Sequence, residues 1–425
     1  MAATGKIGIL ASGGPAPGIN SVIGAATIRA AISGIDVIGL LDGFRWIMEG
    51  DTSKVVPLTI KSVAGIHFRG GSILRISRAN PTQHVRYLDN AVASLRSLGI
   101  ESLITIGGDD TALSAMRIAA HAPGAFQIVH VPKTIDNDLD LPNGIPTFGF
   151  QTVRHVGVGV VKDLQSDART TSRWYFLGVI GRKAGHLALG IGKAAGATLT
   201  LIPEEFSAAV VPMATLVDTL AGAMIKRLSY GRMDGVAVIA LGLVPRLDPA
   251  EVREFASGDL RDPEVLRQAQ TRFIAHLKSK VEQRLGDFGI RMTIVAKNLG
   301  YELRCTDPIP FDIEYTRDLG YCASKYLLEG GTDAMITIQH GVFRPIPFSE
   351  MLDPATQRTR IRLVDVHTEH YRIARRYMLR LRRDDFEDPH ELEKFASTAR
   401  ISVEEFTRQF SYLVSDEPPP IQFET

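Results

Sequence analysis

Gly107-Gly108-Asp109-Asp110-Thr111 and Pro132-Lys133-Thr134-Ile135-Asp136-Asn137-Asp138 decide how this chain reads. Each follows an apolar run rich in β-branched residues, Ser102-Leu103-Ile104-Thr105-Ile106 and Phe126-Gln127-Ile128-Val129-His130-Val131. Such runs mark buried parallel strands. The two segments therefore fall at strand carboxyl ends, where open α/β sheets bind ligands. Between them they supply three requirements of phosphoryl transfer. Glycines admit a phosphate close to the backbone, carboxylates hold Mg²⁺ or accept a proton, and a lysine neutralises charge.

Outward from these segments, strand-like runs alternate with helical patterns along the chain. The runs are Ile7–Leu10, Val37–Leu41, Leu103–Ile106, Ile128–Val131, Tyr175–Ile180, Thr198–Ile202, Val236–Leu241, Met292–Val295 and Met335–Ile338. Between them lie Ala/Leu-rich stretches such as Ile19–Ile32, Thr111–Ala120, Thr152–Leu164 and Ala184–Ala194. This spacing predicts βαβ units and a parallel sheet, open or closed into a barrel. After the first run, Ser12-Gly13-Gly14-Pro15-Ala16-Pro17-Gly18 opens a helix. A glycine turn at a helix N-terminus suits an anion. The pattern alone serves dinucleotide binding as well as phosphate binding, although its GGxxxG spacing is not the dinucleotide GxGxxG. Likewise Thr134–Asp138, read without further context, serves a polar turn as well as catalysis.

Composition narrows the class. The 425 residues suggest two to three domains, or two enlarged ones. With 45% apolar and 22% charged residues the chain is globular and can bury a large core. A formal net charge of +1 gives no reason to expect nucleic acid or an anionic membrane as partner. Two cysteines, Cys305 and Cys322, rule out a disulfide framework and read as small buried hydrophobes in a reducing cytoplasm. No apolar stretch approaches a membrane span, and the amino terminus runs almost directly into Lys6–Leu10 without a signal-peptide pattern. A soluble, unprocessed, cytoplasmic protein is the expectation.

The two opening segments resemble those of the phosphofructokinase family, and the matching segments run from about Gly8 to Asp318. Members that use ATP carry glycine at the positions of Asp110 and Lys133, whereas members that use inorganic pyrophosphate carry aspartate and lysine there. The resemblance implies an α/β fold of two Rossmann-like three-layer domains with mostly parallel sheets and the active site in the cleft between them. It implies a phosphoryl-donor domain at 1–147 plus about 306–385, a sugar-phosphate domain at 148–305, and a helical tail at 386–425 packing on the core and ending in Pro418-Pro419-Pro420. The charged stretch Pro245–Phe288 reads as a surface helical excursion, with Val265, Phe273, Leu277, Val281 and Leu285 at helical spacing.

Residue roles carry over position by position. Gly14, Gly108 and Arg78 match donor-binding positions, and Asp109 matches the ligand of Mg²⁺, the expected cofactor. Asp110 occupies the region of a nucleotide's α-phosphate and sugar, which disfavours ATP. Asp136 matches the base that takes the proton of the attacking sugar hydroxyl, with Asp138 assisting and Lys133 stabilising the transferring group. Thr134, Ile180, Gly181, Arg182, Glu204, Tyr301 and Arg304 match sugar-phosphate contacts. Ile180 replaces the methionine usual at its position. Arg173 matches a residue lent to the neighbouring subunit, which implies a homodimer or higher homo-oligomer. His186 reads as a packed or helix-capping residue.

The expected reaction is reversible transfer from pyrophosphate to the 1-hydroxyl of fructose 6-phosphate. The alternatives are sedoheptulose 7-phosphate as the acceptor and a non-catalytic sugar-phosphate sensor. A nicotinamide dehydrogenase lacks its GxGxxG.

Overall fold

The computed structural model of the protein describes residues 5–351, 360–415 and 417. Its strands are β1 (Lys6–Ala11), β2 (Val37–Leu40), β3 (Val55–Leu58), β4 (Ile100–Gly107), β5 (Gln127–Pro132), β6 (Trp174–Val179), β7 (Leu199–Leu201), β8 (Gly235–Ala240), β9 (Ile294–Leu299), β10 (Ala334–Met335), β11 (Ile338–Gln339), β12 (Val342–Phe343) and β13 (Ile346–Pro347). Two compact units result. The first comprises the chain to Arg154 together with Tyr301–Arg362, and the second comprises His155–Gly300 and the chain from Leu363.

The first unit holds a seven-stranded sheet in the order β13-β10-β5-β4-β1-β2-β3. Its interior pairs are parallel and its two edge pairs, β2/β3 and β10/β13, are antiparallel. From β1 the chain steps through β2 to β3, then returns to place β4 on the other side of β1. Such a reversal opens a crevice at the strand carboxyl ends. Helices α1 (Ile19–Ile32), α2 (Val85–Ser97) and α3 (Asp109–His121) follow β1, β3 and β4 in turn. Leu10, Leu103 and Ile128 of the sheet share one apolar cluster with Ala91 and Leu95 of α2 and with Ala112 and Ile118 of α3. A second helical layer pairs α1 with the helix Pro310–Leu328. The two approach closely because Gly320 has no Cβ to overlap the Val22 carbonyl, and Ser324 Oγ donates to the Ala26 carbonyl at 2.8 Å.

Helix α4 (Phe150–Thr171) leads the chain into the second unit, whose sheet β7-β8-β6-β9 is parallel throughout. Helices α5 (His186–Ala195), α6 (Met213–Ser229) and Pro263–Asp287 make its crossovers. The stretch expected as a surface excursion is thus part of the sheet's cover. Phe273, Leu277, Val281 and Leu285 are buried, and only the opposite face of that helix carries the charge that made it look external.

The chain from 363 packs with this second unit, whereas the sequence reading kept residues up to 385 with the donor domain. Leu379 N–H bonds the Thr198 carbonyl at 2.8 Å, and Lys226 Nζ pairs with Asp385 at 2.6 Å. The helices Pro389–Ala399 and Val403–Phe410 bury Phe395, Phe406 and Phe410 in the same unit. Pro418–Pro420 lie outside the described residues. Cys322 is buried, but Cys305 is exposed, contrary to its sequence reading, because it follows a short surface turn. Among the described residues no helix is long and apolar enough to cross a membrane.

Candidate active site

Three loops converge at the carboxyl ends of β1, β4 and β5 in the first unit. The loop after β1 is tied down where it leaves the strand. Ser12 N–H bonds the Ile106 carbonyl at 2.9 Å, and Gly13 N–H bonds the Ser77 carbonyl at 2.9 Å. Gly13 and Gly18 sit at φ +92° and +107°, so the turn into α1 requires residues free of the L-side-chain restriction. Ser77 is therefore laid along this loop, and the next residue, Arg78, extends from it with an exposed side chain.

The second loop begins α3. Gly108 stands at the cap position and the helix starts at Asp109. Asp109 and Asp110 both lie inside the first turn of α3, where the helix dipole favours negative charge. Asp109 is half-buried and Asp110 exposed.

The third loop leaves β5. Lys133 N–H donates to the Gly107 carbonyl at 2.7 Å, while its side chain, only 5% exposed, carries Nζ to the Gly14 carbonyl. One lysine thus touches both other loops, and a Cβ on Gly13 would stand 3.5 Å from its amino group. Beyond it, Asp136 is buried, with its N–H donating to Thr134 Oγ1 at 3.1 Å. Thr134 Oγ1 in turn donates to Asp138 Oδ1 at 2.8 Å. Tyr301 and Arg304 also belong to this unit. A short 3₁₀ turn, Tyr301–Leu303, eclipses i and i+3, and the Arg304 guanidinium lies 4.5 Å over the Tyr301 ring. Arg304 Nη1 would be 3.6 Å from a Cβ at Gly14.

In the second unit, Ile180, Gly181 and Arg182 follow β6, and Glu204 follows β7. Glu204 Oε1 accepts from Gly185 N–H at 2.8 Å and from Val364 N–H at 3.0 Å. Its Oε2 is buried without a hydrogen-bond partner, and burial pushes the carboxyl pKa up. An orphaned buried acceptor is costly unless something arrives to donate to it. Glu204 therefore ties the start of α5 and Val364 together through one oxygen and leaves the other unsatisfied. The neighbouring Glu205 is an anchor that the sequence did not signal: Tyr371, Arg375 and Arg380 converge on it at 2.9–3.3 Å. His186 is the half-buried first residue of α5. Arg173 stands apart. It precedes β6, at the opposite end of that strand from Ile180–Arg182.

Among the described residues no three or more His, Cys, Asp or Glu side chains converge as a metal cage. What the first unit offers is a hard carboxylate, Asp109, beside a glycine loop. That donor set fits Mg²⁺, which takes one or two carboxylates and draws its other ligands from phosphate and water.

This arrangement of loops agrees with the comparisons to known proteins. The pattern of the family described as "Phosphofructokinase" matches residues 6–327. A pyrophosphate–fructose 6-phosphate 1-phosphotransferase of Thermotoga maritima is 49% identical over 95% of this chain and 98% of its own. One from Naegleria fowleri is 46% identical over 96% of this chain and 95% of its own. Among solved structures, a pyrophosphate-dependent phosphofructokinase from Nitrosospira multiformis superposes with a TM-score of 0.66 at 15% identity, covering 100% of this chain and 95% of that one. The chain belongs to the phosphofructokinase family.

Proposed function

We propose that the protein transfers a phosphoryl group reversibly from pyrophosphate to the 1-hydroxyl of fructose 6-phosphate, releasing phosphate and fructose 1,6-bisphosphate. Relatives at 46% and 49% identity over nearly the whole chain carry this activity in their names. The observation that carries the residue assignments is Lys133, whose amino group bonds the Gly14 carbonyl while its N–H bonds the Gly107 carbonyl. That linkage ties the glycine loop and the strand end that leads into α3 to the loop carrying Asp136.

The donor lies against Gly14 and Gly108, where backbone N–H groups and the α3 dipole favour a phosphate. Lys133 and Arg78 offset charge on the transferring group. Asp109 holds Mg²⁺, which neutralises phosphate charge when bound. Asp136 takes the proton of the sugar hydroxyl as it attacks phosphorus, and Asp138, fixed by Thr134, orients that loop. Glu204 accepts from a sugar hydroxyl through Oε2. Arg304 and Tyr301 hold the sugar's own phosphate, and Ile180, Gly181 and Arg182 are assigned as sugar-phosphate contacts of the second unit. The protein works in the cytoplasm as a homodimer or higher homo-oligomer.

A coupled assay matrix tests this reading. Pyrophosphate and ATP are each offered with fructose 6-phosphate and with sedoheptulose 7-phosphate, with and without EDTA. Turnover is expected with pyrophosphate and fructose 6-phosphate, lost on chelation, and seen in reverse from fructose 1,6-bisphosphate and phosphate. Sugar-phosphate binding without any turnover would make the protein a sensor instead.

A further inference from the structure

The family pattern ends at residue 327, yet a side chain beyond it grips the loop that carries Asp136 and Asp138. Arg362 directs its whole guanidinium to that loop. Nε donates to the Asn137 carbonyl at 3.1 Å, Nη2 to Asn137 Oδ1 at 2.5 Å, and Nη1 to the Ile145 carbonyl at 2.9 Å. Its backbone N–H donates to the Asp138 carbonyl at 2.8 Å, and Ile361 pairs with Leu139 as an antiparallel bridge.

The residue so held is the one between the two aspartates. Asn137 lies at φ +56°, a left-handed conformation that L-residues adopt reluctantly and that asparagine tolerates best after glycine. Its Oδ1 also accepts from Thr147 N–H at 3.0 Å, and Thr147 Oγ1 returns a bond to the Thr134 carbonyl at 2.6 Å. The left-handed step at Asn137 sets the directions in which the Asp136 and Asp138 side chains leave the backbone. We infer that Arg362 is a positioning residue for the Asp136–Asp138 loop, locking Asn137 in its left-handed conformation so that Asp136 faces the acceptor hydroxyl. This rests on the reading of Asp136 as the base. A planar fork is needed because three acceptors at fixed angles are met by one side chain, and a lysine ammonium does not reproduce that geometry.

The test uses full-length protein carrying Arg362→Leu or Arg362→Lys, each also combined with Asp136→Asn. Displacing a base by about 1 Å costs about 10²-fold in rate. Both single variants should therefore lose about 10²-fold in kcat, while KM for fructose 6-phosphate and calorimetric binding of pyrophosphate stay within about threefold of wild type. On the Asp136→Asn background neither substitution should lower the residual rate further, since the group being positioned is gone. Ser94→Ala provides the stability control. It deletes a buried bond to the Ile47 carbonyl, 3.0 Å, in the same unit and should lower the melting temperature with kcat intact.

Unchanged kcat in Arg362→Leu would overturn the inference. So would full kcat in Arg362→Lys, a loss confined to KM, or an equal further loss on the Asp136→Asn background. Wild-type kcat in Asp136→Asn alone would remove the base assignment and this inference with it. That result is distinct from the others, in which Asp136→Asn remains inactive.

Discussion

Asp110 and Lys133 match the two positions at which the family resemblance separates pyrophosphate users from ATP users, and their surroundings differ. Asp110 is exposed on the first turn of α3, and its carbonyl takes a bond from Ser114 Oγ at 2.8 Å that any residue there would keep. Lys133 is buried and spans two loops. On the proposed reading, replacing the aspartate removes a charge from the path of a nucleotide, whereas replacing the lysine removes a group that stabilises the transferring phosphoryl. Asp110→Gly should gain measurable turnover with ATP at saturating Mg²⁺. Lys133→Gly should lose about 10²-fold with pyrophosphate, from about 3 kcal/mol of lost charge stabilisation, and gain nothing with ATP. ATP turnover preferred already in the wild type, or absent from Asp110→Gly, would remove Asp110 as the donor gate. These residues were legible because glycine, carboxylate and lysine at strand ends are a local pattern. Arg362 and Glu205 were not, since their partners lie up to 225 residues away in sequence and no short motif encodes such a pairing.

At the scale of elements, legibility followed burial. The interior strands β1, β4, β5, β6 and β8 are near-continuous apolar runs and could be read directly. Strand β9 pairs only with β6, so it exposes Lys297 and Asn298, and its apolar signal appears two residues early. The run Met335–Ile338 reads as one strand but breaks. Met335 ends β10 in the main sheet, while Ile338 begins β11, which pairs with β12 in a separate hairpin. A break between two short strands leaves no periodic trace.

Strand β5 carries a hidden titration beside the proposed site. His130 is fully buried, with Nδ1 2.9 Å from Thr105 Oγ1, and desolvation pulls its pKa from 6.5 down to about 3. The unfolded chain therefore binds a proton that the folded protein refuses. This group's contribution is complete above pH 6.5 and is lost as pH falls through 3, on the order of 5 kcal/mol in all. Urea midpoints measured from pH 7 to 4 should fall more steeply for wild type than for His130→Gln. Parallel curves would show that His130 does not set the acid lability.

For the whole molecule, the informative residue is the one that does not join its neighbours in sequence. Arg173 sits before β6 and Ile180–Arg182 sit after it. Six residues of strand at about 3.3 Å each separate them by about 20 Å, so Arg173 stands at the far end of β6 from Arg182 of the same chain. The family resemblance assigns this position to the neighbouring subunit's site, and an arginine lent across a two-fold axis accounts for the separation, because an isologous interface gives each subunit what it lends. Arg173→Ala and Asp136→Asn subunits, each inactive alone, should then complement when unfolded together and reassembled. In a mixed dimer the site that keeps its own Asp136 receives Arg173 from the other chain, and the second site lacks both. Random pairing makes half the dimers mixed, each with one working site of two, so activity should return to about a quarter of wild type. Full activity in a sedimenting monomer, or no activity in the mixture despite dimers, would confine Arg173 to its own chain.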